Sequence, residues 1–102
     1  MSLLALMLAL TAPPADVASQ PLRAAVDASP KAVAKFIARR ANCNHFLGEE
    51  PYDKARAAEL NKAIRELRCG RIDRDERRLR VRYAAHSTVL RLLEETSDLL
   101  GW

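Results

Sequence analysis

Residues 42–53 read Asn42-Cys43-Asn44-His45-Phe46-Leu47-Gly48-Glu49-Glu50-Pro51-Tyr52-Asp53, and the next cysteine is Cys69. How this stretch is read decides how the helices on either side of it pack. Gly48 and Pro51 break helical periodicity, so residues 42–52 read as a loop. Asp53 is a favoured N-cap. Behind it Ala57, Leu60, Ile64 and Leu67 recur three and four apart, which predicts a helix over 54–68. Gly70 lies just past that helix, where a left-handed residue commonly terminates it.

Working outward, Ser29-Pro30 is a helix start, with Ser as cap and Pro at the first helical position. Val33, Phe36 and Ile37 carry that helix to about residue 41. Residues 20–28 read as a lead-in segment with at most one helical turn. Downstream, Asp73 with Glu76 three residues later resembles a capping box. Leu79-Arg80-Val81-Arg82-Tyr83 alternates like a strand, but nothing else in the chain can pair with it, and a lone strand is unstable. It is therefore read as helical. Ser87 caps a last helix carrying Val89, Leu92, Leu93, Thr96 and Leu100, which Gly101 ends. The expectation is an all-α domain over 29–102, a small bundle of three to four helices.

The N-terminal end has a different character. Residues 3–10 are eight consecutive apolar residues, too short a run to span a bilayer. Pro13, Pro14 and small residues follow, and Val17-Ala18-Ser19 offers a cleavage point after Ser19. This is the layout of a secretory signal peptide over 1–19, although no Lys or Arg precedes the apolar run. A periplasmic or secreted location follows as the expectation.

The chain has 102 residues, and 17 bases against 13 acids give a net charge of +4. Loss of 1–19 removes Asp16 and no base, which takes the charge to +5. A chain this short holds one small domain and excludes an enzyme with a separate cofactor domain. Its 49% apolar content argues against intrinsic disorder, and its 5% aromatic content points to a core of Leu, Ile, Val and Ala.

After an export signal, two cysteines read as one disulfide, Cys43 to Cys69. Its contribution in the chain-entropy model is about 3.5 kcal/mol. With Cys43 placed after the first helix and Cys69 at the far end of the second, the bridge joins opposite ends of a hairpin. The loop is then expected to run back along the second helix, nearly stretched: roughly 30 Å of chain against a rise of roughly 24 Å.

The pattern Cys43-Asn44-His45-Phe46-Leu47-Gly48-Glu49-Glu50-Pro51-Tyr52-Asp53, with Leu67-Arg68-Cys69 downstream, resembles a group of small exported proteins of Gram-negative bacteria. Their shared pattern is Cys-x-His-aromatic-x-Gly-Glu followed by a second Cys, and the likeness covers roughly residues 42–83. The resemblance implies an exported helical protein and brings no activity or catalytic residue with it.

Two surfaces stand out as interaction candidates. The first is the loop, with His45, Phe46, Gly48, Glu49, Glu50, Tyr52 and Asp53. His45, Glu49 and Glu50 offer a sparse ligand set for a metal, because cysteines in a disulfide are not thiolate ligands. No nucleophile or second base stands at a telling distance from His45, so no catalytic residue is assigned and an enzyme is not expected. Glu49 and Glu50 suit the N-terminal dipole of the helix they precede, and Gly48 suits a turn. No phosphate-loop or dinucleotide motif is present, and no cofactor is expected.

The second surface is basic. Arg71, Arg74, Arg77, Arg78, Arg80 and Arg82 fall within twelve residues. On a helix Arg74, Arg78 and Arg82 share one face, while Leu79 and Tyr83 face the core. That face suits an acidic protein or another anionic partner in the envelope; a solvated face with local pairs such as Asp75 to Arg78 is the plainer expectation. No nucleic-acid-binding signature is present, and such a partner enters only if the leader is spurious and the chain is cytoplasmic. The function expected is that of a small exported binding protein of the cell envelope. A metal-binding protein using His45, Glu49 and Glu50 is the alternative. The sequence carries no sign of oligomeric state.

Overall fold

The computed structural model describes residues 18–102. The chain runs through α1 (Gln20–Asp27), α2 (Lys31–Leu47), α3 (Lys54–Glu66), a 3-10 turn (Cys69–Arg71), α4 (Ile72–Arg82) and α5 (Ser87–Glu95). Among the described residues there is no strand, so the all-α expectation holds: 79–82 is helical and Tyr83 caps the helix end. Five α-helices stand among the described residues, where three to four were expected. The additional one is α1, within the segment expected as a lead-in. Ser19 caps it by accepting from the Leu22 amide at 3.2 Å, and Pro21 sits in its first turn. Val26 then plugs its inner face into the core.

The core sits between α1, α2 and α5. Val26, Val33, Phe36, Ile37, Val89, Leu92 and Leu93 are buried together, with Leu79 of α4 and Tyr83 just past its end packed against them. Full burial of side chains such as Ile37 and Leu93 stabilises by roughly 1.5–3 kcal/mol each. A smaller cluster joins Ala18, Ala41 and Leu99. Residues 1–17 of the expected leader lie outside the described residues. Ala18 and Ser19, which cleavage after Ser19 would remove, are engaged in this fold.

The largest departure from expectation is at residues 42–47. They continue α2 instead of opening a loop, and the helix ends only at Gly48. Asn42, Cys43, Asn44 and His45 are mediocre helix formers, but tertiary bonds override that preference. Asn44 Nδ2 donates to the carbonyls of Ser97 and Leu99, both at 3.0 Å, and Asn42 Oδ1 accepts from the Trp102 amide at 3.1 Å. These two side chains clamp the C-terminal segment onto α2. Arg23 lies over the Trp102 ring at 4.6 Å and closes the same seam from α1.

The disulfide is present, with Cα atoms 5.6 Å apart. The loop expected to stretch back along the second helix is not. Cys43 lies inside α2, one turn before its end, so no long return is required. Residues 48–53 form a short connection, and α3 returns antiparallel to α2. Phe46 and Leu47 face Ala57, Leu60 and Ile64, and Arg39 reaches the carbonyls of Leu67 and Arg68 at 2.6 and 3.0 Å.

Several local signals act differently from their sequence reading. Asp53 caps α3 as expected, accepting from the Arg56 amide at 2.8 Å. The left-handed residue after α3 is Arg68 (φ 53°), not Gly70. Gly48 has an ordinary right-handed backbone (φ −86°); what it supplies is closeness, since a Cβ there would meet the Asn44 carbonyl oxygen at 3.2 Å. Asp73 lies within the first turn of α4, where it favours the dipole without capping. Ser87 is the first residue of α5 and makes no side-chain cap. The chain leaves α5 at Thr96, so Leu99 is buried and Leu100 is exposed.

Candidate functional site

Arg40 organises the charged architecture. It falls on the buried stripe of α2 with Val33, Phe36, Ile37 and Ala41, and is only 4% exposed. Its guanidinium donates to Glu76 Oε1 at 2.6 Å, to the Leu93 carbonyl at 2.5 Å and to Thr96 Oγ1 at 2.9 Å. One side chain of α2 thereby ties down α4 and α5. Its Nε has no protein partner, and the guanidinium lies 5.2 Å from the Phe36 ring centroid, which supplies a favourable π contact instead.

Around this anchor, acids and bases of α2, α4 and α5 pair. Glu76 also accepts from Arg80 at 2.8 Å, and Arg80 reaches Glu94 at 3.2 Å. Burial pushes the Glu76 carboxyl up, but the bonds from Arg80 and Arg40 outweigh it and hold the group below the ordinary carboxylate range. Asp75 is likewise held down, first by its hydrogen bond from Arg39 at 2.8 Å. Its second partner is Arg74 at 3.5 Å; the expected Asp75 to Arg78 pair is not formed.

The stretch read as a candidate interaction loop is in part tied into the fold. Glu49 takes a two-pronged bond from Arg56, at 2.5 and 2.8 Å, which keeps its carboxyl ionised to low pH. His45 is exposed on α2 and meets the Phe46 ring edge-on at 5.2 Å between centroids. Asp53 is occupied as a cap. Glu50 is exposed, and Tyr52 projects from the surface at 83% exposure. His45, Gly48 and Glu49 share a shallow depression with Asn44 and Leu100. Cys43 and Cys69 are joined to each other. Among the described residues no three His, Cys, Asp or Glu side chains converge as a metal site would require.

The other expected surface acquires a shape. Pairing of Arg39 with Asp75 and of Arg40 with Glu76 lays α4 antiparallel to α2. Between the two helices runs an open groove of about 350 Å³, lined by Ala32, Lys35, Phe36 and Arg39 from α2 and by Asp75, Arg78, Leu79 and Arg82 from α4. The volume falls in the range of ligand sites. Its floor is Ala32, Phe36 and Leu79. Its rim is basic: Arg39 is neutralised by Asp75, but among the described residues Lys35, Arg78 and Arg82 have no carboxylate partner. Arg78 and Arg82 also border a second depression on the outer side of α4, with Arg74, Arg77 and Val81. Val81 is 79% exposed.

Arg74, Arg78 and Arg82 were legible as one face. The α2 half of the groove was not, because Lys35 and Arg39 look like ordinary surface residues until α4 is laid beside them. Arg40 did carry a signal: it is the one charged residue on the apolar stripe of its helix. Comparison with protein-family models, curated proteins and solved structures finds no match for this chain.

Proposed function

We propose that this chain is a small exported binding protein of the cell envelope and that it takes an anionic partner in the α2–α4 groove. The observation that carries the reading is the apolar floor of Ala32, Phe36 and Leu79 rimmed by Lys35, Arg78 and Arg82, which have no carboxylate partner among the described residues. Unpaired like charges around one groove repel each other, and an anion relieves that repulsion. Export is supported by the signal-peptide layout of the N-terminal segment and by a disulfide of the kind that persists in non-reducing compartments. No helix among the described residues is long and apolar enough to cross a membrane. The burial of Ala18 and the cap supplied by Ser19 favour a mature chain that keeps both residues, so processing N-terminal to Ala18 fits the fold better than cleavage after Ser19.

The test has two parts. Intact mass of the protein recovered from periplasmic extract reports leader removal, its position and the oxidised cysteines together. Co-sedimentation with isolated envelope fractions then compares the wild type with Arg74→Glu/Arg78→Glu/Arg82→Glu. The expected result is salt-sensitive association of the wild type and release of the variant. Retention of Met1 with free thiols, or equal behaviour of both proteins, defeats the proposal.

A further inference from the structure

We infer that the occupant of the groove is an acidic amphipathic helix of another protein, an inference that rests on the anionic-partner reading above and narrows it. The argument is one of register. The groove lies between two antiparallel helices, and its cations repeat every four residues on each of them: Lys35 and Arg39 on α2, the latter paired with Asp75, and Arg78 and Arg82 on α4. Four helical residues rise about 6 Å. An α-helix laid along the groove repeats at the same interval, so carboxylates at i and i+4 on each flank meet successive cations.

The floor makes the second half of the case. Ala32, Phe36 and Leu79 form an apolar strip between the two basic ridges. Ala32 is small and exposed, which lets an incoming backbone come close, while Phe36 is held from behind by Arg40. An apolar ridge on the partner fills this strip, the arrangement by which grooves accept amphipathic helices. A flexible polyanion satisfies the cations but leaves the floor wet. A bilayer surface needs large apolar side chains projecting outward, and on α4 only Val81 does so. Arginine forks also suit carboxylates bidentately, which rewards a partner whose acids are held at fixed spacing.

The probe is a synthetic helical peptide of about 20 residues, with leucines at i, i+4, i+7 and i+11 and glutamates flanking them. It is titrated by fluorescence anisotropy against the full chain with its disulfide formed. A scrambled peptide of the same composition, polyglutamate and phosphatidylglycerol vesicles are titrated in parallel. The expected result is micromolar binding of the helical peptide, with the scrambled peptide and polyglutamate weaker by about tenfold or more. Lys35→Glu/Arg78→Glu weakens the helical peptide by a similar factor, and a lysine-for-glutamate version of the peptide regains affinity for that variant. Ala32→Phe, which fills the groove at an exposed position, abolishes binding while circular dichroism stays unchanged. Equal binding of the scrambled peptide or polyglutamate overturns the helix and leaves the anionic-partner reading standing. Binding of the vesicles alone reassigns the groove to lipid. Failure of every anionic probe sinks both readings.

Discussion

Toward the C-terminal half of α2, charge is matched inside the protein. Arg40 meets Glu76 and two oxygens near the end of α5, Arg39 meets Asp75, and beyond the helix end Glu49 meets Arg56. Toward the N-terminal half of the same helix the matching stops. Lys35 faces Arg78 and Arg82 across an apolar strip, and among the described residues none of the three has a carboxylate partner, since the groove's one carboxylate, Asp75, is taken by Arg39 and Arg74. The stretch that looks most specialised in the sequence, residues 42–53, belongs to the matched half. Its asparagines clamp the tail, its cysteine staples α3, Glu49 pairs with Arg56 and Asp53 caps α3. A dense set of special residues there builds the fold, whereas plain lysines and arginines on two separate helices build the surface with unmet electrostatic demand.

Removing the centre of the matched half gives the largest expected effect. Arg40→Ala removes the side-chain donor to the Leu93 carbonyl and to Thr96 and leaves Glu76 with Arg80 alone, and loss of one member of a buried ion pair costs about 3–5 kcal/mol. Urea denaturation measures it. The double variant Arg40→Met/Glu76→Leu is expected to recover part of that loss, because no uncompensated charge stays buried. A loss under about 1 kcal/mol for Arg40→Ala would place Arg40 among ordinary surface arginines.

Next in size is the staple. Cys43→Ser/Cys69→Ser removes a tie across 26 residues of sequence separation, and the chain-entropy model sets the cost at about 3.5 kcal/mol. The effect concentrates on α3. That helix has Leu60 as its one buried residue, so it contributes little packing of its own. Amide exchange is expected to show α3 losing protection before α2 and α5, since locally weak units open first. Uniform loss across all helices would contradict this division.

Acid probes the matched half through its carboxylates. Glu49, Asp75 and Glu76 are all held below their ordinary range in the folded chain. The unfolded chain therefore binds protons more readily, and their stabilisation is present above the unfolded pKa of about 4. It is lost as pH falls through the folded values. Thermal melting is expected to give a midpoint that is flat from about pH 7 to 5 and falls below about pH 4. Glu76→Gln is expected to be less stable at neutral pH and to show a shallower acid slope. An unchanged slope would mean that the Arg40–Glu76–Arg80 cluster contributes no pH dependence.

Much of this architecture was legible in the sequence because it depends on local signals. Asp53 capping α3, the stripe of α3, the Val89, Leu92 and Leu93 part of the α5 stripe (Leu100 lies beyond the helix and is exposed), and the pairing of the only two cysteines followed from residue type and spacing. The extent of α2 did not, since Asn42 to His45 become helical through bonds to Ser97, Leu99 and Trp102, more than fifty residues away. A helix ending at residue 41 would need a long return loop to reach Cys69, and the helix that runs to Leu47 removes that need. The groove was half legible for a related reason. Arg74, Arg78 and Arg82 align by helical period alone, whereas Lys35 joins them only through the antiparallel seating that Arg39 and Arg40 impose.

The smallest expected effect on stability falls in the unmatched half, and it separates the two regions most directly. Arg78→Ala and Arg82→Ala remove exposed cations that have no carboxylate partner among the described residues, so each is expected to change folding free energy by no more than about 0.5 kcal/mol. The sign is informative. Lys35, Arg78 and Arg82 repel one another across the groove, so Arg78→Ala is expected to be neutral or slightly stabilising at low ionic strength, with the gain fading as salt screens the repulsion. Arg82 also lies 5.3 Å from the Tyr83 ring centroid, a contact that offsets part of the gain for Arg82→Ala. Paired urea melts at low and high salt read the difference. A clear destabilisation by Arg78→Ala would show that this side chain has a structural partner, and the contrast between the two halves of α2 would fail at its simplest point.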